Sequence, residues 1–551
     1  MSLAPRPVPD VPEQTALIAR SAFPKGHPYL MLRDELGSIF TDEDFIDLFP
    51  SRGQPAYSPW RLALITIMQF REKLTDRQAA DAVRARIDWK YMLGLELTDS
   101  GFDFSVLSEF RDRLIDGSSE ELLLDKLLAR FKELGVLKGR GNQRMDSTRV
   151  LSAVRELSRL ELVIETMRAT LNELADVSPE WLKRVAPQHW YKRYGSPAYN
   201  VRLPQSNKER KAYMKEVGKD GFELLRLLEK APKEAQTLAI VAHMRSVWQW
   251  QFRQGKPPDK QASNEVSLNE NPGKAGLRPD SPYDHDIRYA NKGRGAWVGY
   301  ALQLSETCDE GLPQLIVHVL TTPASTHDSH AVPVMHGALE KKGLLPEKHL
   351  VDSHYAVAKR IVAARNDYSV ALIGTTMTTS SQQSRNREGF GTDDFTIDWA
   401  AKEVWCPQGK KSEAWGEYET KRMGRFVRIR FAKEDCEACP VRRKCTTGTR
   451  PRQLTFKRKE DYDVLQEMRS YMSSEQGKIF YNLRSGIEGT IAKGVRGYGM
   501  RKTRYRGLKK THLGHVATAA AMNLDRYIDY RMERKKSKIR VSRFAALAPR
   551  T

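Results

Sequence analysis

Apolar residues recur every three or four positions through WRLALITIMQFREKL, from Trp60 to Leu74, and Ser58 followed by Pro59 marks a helix start there. Thr75 is positioned to cap a second helical stretch, TDRQAADAVRARIDWKYMLGL, and Ser105 a third, SVLSEFRDRL. Near Gln143 the period changes. QRMDSTRVL carries β-branched residues on both sides of Asp146 and predicts a buried strand with the acid near its end. From about Ala153 to Trp250 the text is helical and charged, and residues 255 to 283 have the Pro, Gly, Asn and Ser content of a flexible linker. WVGYALQLSET and PQLIVHVLTT then read as a hairpin. The helix DSHAVPVMHGALEKKGLL, the strand in HLVDSHY, the helix AVAKRIVAARNDY and the strand VALIGTT follow. Strand, strand, strand, helix, strand, helix, strand predicts a mixed α/β sheet flanked by helices, with Asp146 on its first strand and Asp352 at the end of its fourth.

The segment 377–454 interrupts that pattern with β-like runs around FTIDW, EVWCP and RFVRIRF. A helix over EDYDVLQEMRSYMSSEQGKIFYNL resumes it, and LGHVATAAAMNLDRYIDY predicts a closing helix with one apolar face. The expected organisation is an N-terminal segment (1–45) with a loose Pro-rich start, an all-helical domain (46–130), and a sheet domain assembled from 138–152, 285–376 and 455–530. Into the sheet domain are set a helical insertion with linker (153–284) and a Cys-containing β-rich insertion (377–454), and a basic tail (531–551) closes the chain. The N-terminal helices carry Arg77, Arg84, Arg86, Arg111 and Arg113, which suits either a helix-turn-helix-like DNA reader or a helical bundle used for packing.

Length and charge narrow the function. A chain of 551 residues exceeds a single core, and it lacks both a run of about 18 apolar residues and a signal-peptide core, so a cytoplasmic protein with no membrane partner is expected. Its 91 Lys and Arg against 69 Asp and Glu give a net charge of +22, which favours nucleic acid as the polyanionic partner.

The basic excess is densest after residue 480. Between Tyr481 and Lys510 stand nine Lys or Arg and one acid, Glu488. On a helix, Tyr481, Arg484 and Glu488 share a face, which suits an ordinary surface Arg–Glu pair or a site cutting a polyanion. Gly486 and Gly489 beside the acid mark either a close approach of another group or a helix end. Two aspartates at strand ends and a glutamate on a later helix are hard oxygen ligands suited to two Mg²⁺ or Mn²⁺ ions.

Asp146 in MDST, Asp352 in LVDSHY and Glu488 in Tyr481-x-x-Arg484-x-x-x-Glu488 resemble the three acids of the DDE transposases of bacterial insertion sequences. The resemblance extends to WVGYALQLSETCDEGLPQLIVHVLTTPASTHD and RYRGLKKTHLGHVATAAAMNL, and so covers most of residues 50 to 530. It implies a ribonuclease-H-like catalytic fold, with Asp146, Asp352 and Glu488 as catalytic metal ligands. It further implies cleavage at terminal inverted repeats and transfer of the freed 3′ hydroxyl to target DNA, by a homodimer or higher oligomer associated with the nucleoid. Tyr481, Arg484, Lys493, Arg496, Arg501, Lys502, Arg504 and Arg506 are the candidate DNA contacts. The family has a Lys or Arg seven positions after the glutamate, where this chain has Val495, with Lys493 and Arg496 beside it. A non-cutting DNA-binding descendant and a metal-dependent nuclease without strand transfer are the rival readings.

Five cysteines do not make a disulfide framework in a chain this long. Cys406, Cys436, Cys439 and Cys445, with one CxxC pair, suit a structural Zn²⁺, or else are unliganded thiols in a reducing compartment. His318, His327 and His330 are read as satisfied polar or core side chains, and Asp328 is assigned no role.

Overall fold

The computed structural model describes residues 1–551 except 202, 255–265, 271–277, 293–294, 377–388, 421–423, 447, 534–546 and 548–551. The basic tail thus lies almost wholly outside the described residues, as does most of the expected linker. Helices open the chain: α1 (Glu13–Ala22), α2 (Pro28–Leu36), α3 (Pro59–Glu72), α4 (Asp76–Ala85), α5 (Ile87–Leu93), α6 (Ser105–Asp116) and α7 (Leu122–Glu133). The start of the chain, expected to be loose, is tied down: the Ser2 amide donates to the Gln54 carbonyl at 2.7 Å and Leu3 is buried. Thr75 caps α4, accepting the Gln78 amide at 3.3 Å. The long stretch predicted after Thr75 breaks at Arg86, whose backbone is extended, so it makes two helices rather than one. Ser105 is no cap. It is the first residue of α6, and its own amide is held by Asp103 at 2.9 Å.

β1 (Asn142–Leu151) leads to a run of helices: α8 (Arg159–Val177), α9 (Pro179–Val185), α10 (Gln188–Tyr194), α11 (Asn207–Leu228), α12 (Lys233–Gln236) and α13 (Ala239–Gln251). These helices bury a core of their own around Trp181, Trp190, Leu224 and Trp248. The short pair β2 (Phe252–Gln254) and β3 (Val266–Leu268) follows. The end of the expected linker is packed rather than flexible. Asp284 is buried and accepts the Tyr300 hydroxyl at 2.7 Å and the Gly507 amide at 3.0 Å.

The main sheet adds β4 (Arg288–Lys292), β5 (Gly295–Thr307), β6 (Ile316–Pro323), β7 (Lys348–Leu350) and β8 (Ala371–Ile373) to β1. Its order is β4-β5-β1-β7-β8, with β6 also on β5; pairing is antiparallel from β4 through β1 and parallel from β1 to β8. α14 (Ala331–Lys341) and α15 (Ala358–Tyr368) make the two parallel crossovers. This mixed sheet with flanking helices is compatible with a ribonuclease-H-like fold. The predicted strand order holds, with β4 as an added edge strand that its polar text, RYANK, does not announce.

Residues after β8 form the pair β9 (Thr396–Asp398) and β10 (Glu403–Trp405) and a three-stranded sheet of β11 (Ser412–Thr420), β12 (Gly424–Phe431) and β13 (Gln453–Lys457). A small core of Phe395, Val404, Val427, Ile429, Phe431, Leu454 and Phe456 holds them together.

The closing helix, Leu508–Arg531, is not one-faced. It is buried all round from Leu513 to Leu524, and its small residues Ala517, Ala519, Ala520 and Ala521 admit neighbours on every side. It packs on α3 and on β6, so the N-terminal helices and the sheet share one continuous core. Arg71 pairs with its Asp525 at 2.7 Å, and Phe131 stacks on its Tyr527 with ring centroids 5.2 Å apart. Among the described residues, no helix is long and apolar enough to cross a membrane.

Candidate active site

The sheet register sets two of the predicted acids level with each other. β1 and β7 pair in parallel only as far as Arg144 opposite Leu350, and Asp146 and Asp352 each follow two residues later. Asp146 is in the middle of β1, not near its end, because the long hairpin strand β5 keeps pairing with β1 out to Leu151. It is the parallel partner that stops short, so the acid still stands at the carboxyl edge of the parallel half. Each aspartate turns one oxygen onto the next backbone amide: Ser147 donates to Asp146 at 2.7 Å and Ser353 to Asp352 at 2.6 Å.

Glu488 comes from the other side, on a helix spanning Gly486–Tyr498. That helix continues a helical run from Glu475–Asn482 through a tighter turn at Leu483–Ser485, so the offsets of Tyr481, Arg484 and Glu488 are helical as expected. Arg484 reaches across. One of its nitrogens is 3.1 Å from Asp146 and another 3.0 Å from Glu488, so a single guanidinium holds carboxylates from the sheet and from the helix. Asp352 lies within the field of the same charge. Burial alone would raise the Asp352 carboxyl, but the Ser353 amide, His354 and Arg484 outweigh it and hold it below the usual carboxylate range. Glu488 is the outermost of the three, with 64% of its side chain exposed against 18% for Asp146.

The other candidate contacts separate into groups. Tyr481 faces inward and donates its hydroxyl to the Val351 carbonyl at 3.1 Å, anchoring the helical run one residue before Asp352. Arg501 is held at the backbone, its carbonyl accepting the Leu151 amide at 2.8 Å. Its side chain lines a hollow of about 770 Å³ beside the acids, together with Ser147, Thr148, Arg149 and His354. Lys502 and Arg504 line a separate small hollow against α3, and Arg504 donates to the Leu74 carbonyl at 3.0 Å. Arg506 lies over the Tyr283 ring at 5.8 Å. Lys493 faces Asp529 of the closing helix at 3.8 Å, and Arg496 is exposed.

The five arginines of the N-terminal helices are engaged within the chain. Arg111 pairs with Asp76 at 2.5 Å, Arg86 with Asp88 at 2.6 Å, and Arg84 with Asp81 at 2.9 Å. Arg113 donates to the Leu48 carbonyl at 3.1 Å, and Arg77 covers the Phe104 ring.

Three site features escaped the sequence reading. Tyr355, buried beneath the acids, donates its hydroxyl to Gln303, and the Gln303 amide donates to Asp328 at 3.0 Å. Burial drives the Tyr355 phenol far upward, and the charges of Asp328, Asp146 and Asp352 add to it, so Asp328 is a fourth acid close to the site. Arg144 and Glu306 form a buried ion pair at 2.6 Å behind Asp146. Arg144 is two residues before Asp146, and Glu306 is the one charged residue in β5. Both were visible as such.

Cys406, Cys436, Cys439 and Cys445 line one hollow of about 220 Å³. The Lys410 amide points at Cys406 Sγ at 3.3 Å and the Arg452 amide at Cys436 Sγ at 3.4 Å. Burial raises the Cys445 thiol, and the three other cysteines add to the effect although Arg452 opposes it. Among the described residues, no group of three or more His, Cys, Asp or Glu stands close enough to hold a metal ion, at the cysteines or at the acids. Of the three histidines near strand text, His318 is buried against Glu121 at 3.3 Å and Lys342 at 3.0 Å.

Residues 405–528 match the family described as "Transposase DDE domain", and residues 18–113 the one described as "Transposase domain (DUF772)". The first match takes in Glu488, the four cysteines and most of the closing helix; Asp146 and Asp352 precede it. No curated protein matches the chain.

Proposed function

We propose that this chain, a DDE-type transposase of an insertion sequence, binds the terminal inverted repeats of its element and cleaves and joins DNA with Asp146, Asp352 and Glu488 on a ribonuclease-H-like sheet. The observation that carries this is the Arg484 guanidinium held between Asp146 and Glu488, with Asp352 in its field. Asp146 and Glu488, remote in sequence, meet on one positive charge, and Asp352 lies within its field.

Ionised carboxylates from two structural layers have the hard-oxygen chemistry that Mg²⁺ or Mn²⁺ requires, and two such ions held by Asp146, Asp352 and Glu488 would supply charge neutralisation at the scissile phosphate. The Ser353 amide, His354 and the charge of Arg484 together favour the ionised Asp352 carboxylate. Arg484 alternates between the acids and a DNA phosphate, since a bidentate guanidinium suits either. Tyr481 acts by anchoring the helical run rather than by stacking on DNA. Arg501 and Arg496 are the basic side chains best disposed to bind the strands flanking the cut. The chemistry is hydrolysis of a phosphodiester at the element's end, followed by attack of the released 3′ hydroxyl on a target phosphate. Each step forms and breaks one P–O bond, so no nucleotide cofactor is needed. An element has two ends and each chain one set of acids, which favours a dimer or larger assembly on DNA.

The deciding experiment is cleavage and joining of the element's own ends, with Mg²⁺ or Mn²⁺, by wild type and Glu488→Gln. Joined product from wild type alone supports the proposal. Cleavage without joining indicates a nuclease, and end binding without cleavage a non-cutting descendant.

A second proposal is a structural Zn²⁺ that would draw Cys406, Cys436, Cys439 and Cys445 together from the walls of the hollow they line. Four thiols share one hollow and two already accept backbone amides, the donors that steady a thiolate. Metal analysis of the purified protein tests it.

A further inference from the structure

Behind the candidate active site a single buried carboxylate gathers four elements. Glu306 of β5, whose side chain is fully buried, takes Arg144 of β1 on one oxygen at 2.6 Å. Its other oxygen takes Thr490 of the glutamate helix at 2.6 Å and Arg526 of the closing helix at 2.9 Å. Arg144 spends its remaining nitrogens on the Leu483 carbonyl at 2.5 Å and on Gln314 at 2.7 Å. Leu483 immediately precedes Arg484, and Thr490 follows Glu488 by two residues. The network therefore grips the helical run on both sides of its two site residues, from the strand residue two before Asp146.

Gly486 carries an independent sign that this fit is built in. A Cβ at Gly486 would lie 2.0 Å from an Arg144 nitrogen and 2.3 Å from its Cζ, whereas a Cβ at Gly489, one turn along, meets nothing within 4 Å. The glycine beside the glutamate is where the arginine passes. A buried ion pair is a poor source of stability compared with apolar packing of the same volume, but it fixes one geometry where apolar contacts would tolerate several.

We infer that Arg144 and Glu306 are positioning residues. Through Leu483, Gly486 and Thr490 they set how closely the helix bearing Arg484 and Glu488 approaches the strand bearing Asp146. This rests on the reading of Asp146 and Glu488 as metal ligands. The network includes none of the three candidate metal ligands. Its effect is on the separation of the ligands, and hence on metal affinity.

The test compares Gly486→Ala with Gly489→Ala, two substitutions that both favour the helix and differ only in what the new methyl meets. Thr490→Val serves as a second variant that removes one hydroxyl and no charge. Three quantities are read on end-bound protein: the Mn²⁺ affinity from the paramagnetic resonance of free ion, the half-saturating Mn²⁺ for cleavage, and the melting temperature. Gly486→Ala and Thr490→Val weaken Mn²⁺ binding by roughly tenfold or more, the usual scale for outer-shell partners. Gly489→Ala leaves binding within about twofold. End affinity is unchanged in all three. Equal Mn²⁺ affinity in Gly486→Ala and wild type would overturn the inference, and so would an equal loss in Gly489→Ala. If Gly486→Ala does not fold, unchanged Mn²⁺ affinity in Thr490→Val does the same. An active Glu488→Gln variant sinks the underlying reading instead, whereas an inactive one beside a wild-type-like Gly486→Ala sinks only the positioning role.

Discussion

Arg484 and Asp146 are paired at 3.1 Å across 338 positions of sequence. The same guanidinium also holds Glu488, so one side chain ties the strand aspartate to the helix glutamate.

Replacing the acids one at a time is the plainest consequence. Asp146→Asn, Asp352→Asn and Glu488→Gln each keep shape and remove a ligand charge, so cleavage of the element's ends falls by roughly four orders of magnitude or more while end binding stays near wild type. Gel-shift and cleavage assays on the same preparations read both. Loss of binding alongside cleavage would mean these acids are structural.

Arg484→Ala removes the charge that competes with a metal for Asp146 and Glu488. In the absence of DNA, Mn²⁺ is expected to raise the melting temperature of this variant more than that of wild type, because the emptied carboxylates bind the ion more tightly. An equal or smaller shift would show that the guanidinium and the ion do not share ligands.

Asn523 of the closing helix is fully buried and holds both polar groups of the Ile316 backbone, donating to its carbonyl and accepting its amide at 2.8 Å each. Asn523→Ala leaves both unpaired at the end of β6 and costs on the order of 3 kcal/mol in urea unfolding. A loss of under about 1 kcal/mol would mean that water replaces the side chain.

If the cysteines hold zinc, Cys439→Ser lowers zinc content and melting temperature together, since the core that joins β9 to β13 is small. Unchanged zinc and melting temperature would leave the four thiols unliganded.

Acid should destabilise the protein through its buried histidines. Burial holds His336 at about 4 and His243 and His515 at about 3, all below the 6.5 of an exposed imidazole, with His349 also well below it. Below about pH 6.5 the unfolded chain takes up protons that the folded chain refuses, so stability falls as pH drops. The loss levels off only beneath the folded values. Each such proton contributes a slope of about 1.4 kcal/mol per pH unit. Melting temperatures from pH 7.5 to 4.5 should therefore decline, and a flat profile would contradict the neutral, buried state.

Much of the fold was legible because it is local. The hairpin, the crossover helices and the Thr75 cap follow from periodicity and capping within about twenty residues. The misreadings have a common cause. Arg86 is extended, and it is tied back to Glu72 of α3; Ser2 is held by Gln54. The closing helix looked one-faced because alanine is ambiguous in sequence, and only its neighbours α3 and β6 decide that every face is buried. Likewise Arg111 of α6 looked available for DNA because its partner Asp76 lies 35 positions away, outside any short window.

The sequence by itself determined the kinds of group this protein brings to its chemistry: two strand-borne aspartates, a helix-borne glutamate in a basic run, and thiols at metal-like spacing. Side-chain chemistry and backbone period are properties of a residue and its near neighbours. Tertiary structure alone decided that Arg484 bridges Asp146 to Glu488, that Tyr481 turns inward, and that Arg144 and Glu306 lock the helix to the strand. Apart from the Arg484–Glu488 pair, which is local, those relationships depend on sheet register and on burial of charge between elements 130 to 338 residues apart, where a contact of 3 Å leaves no trace in local pattern.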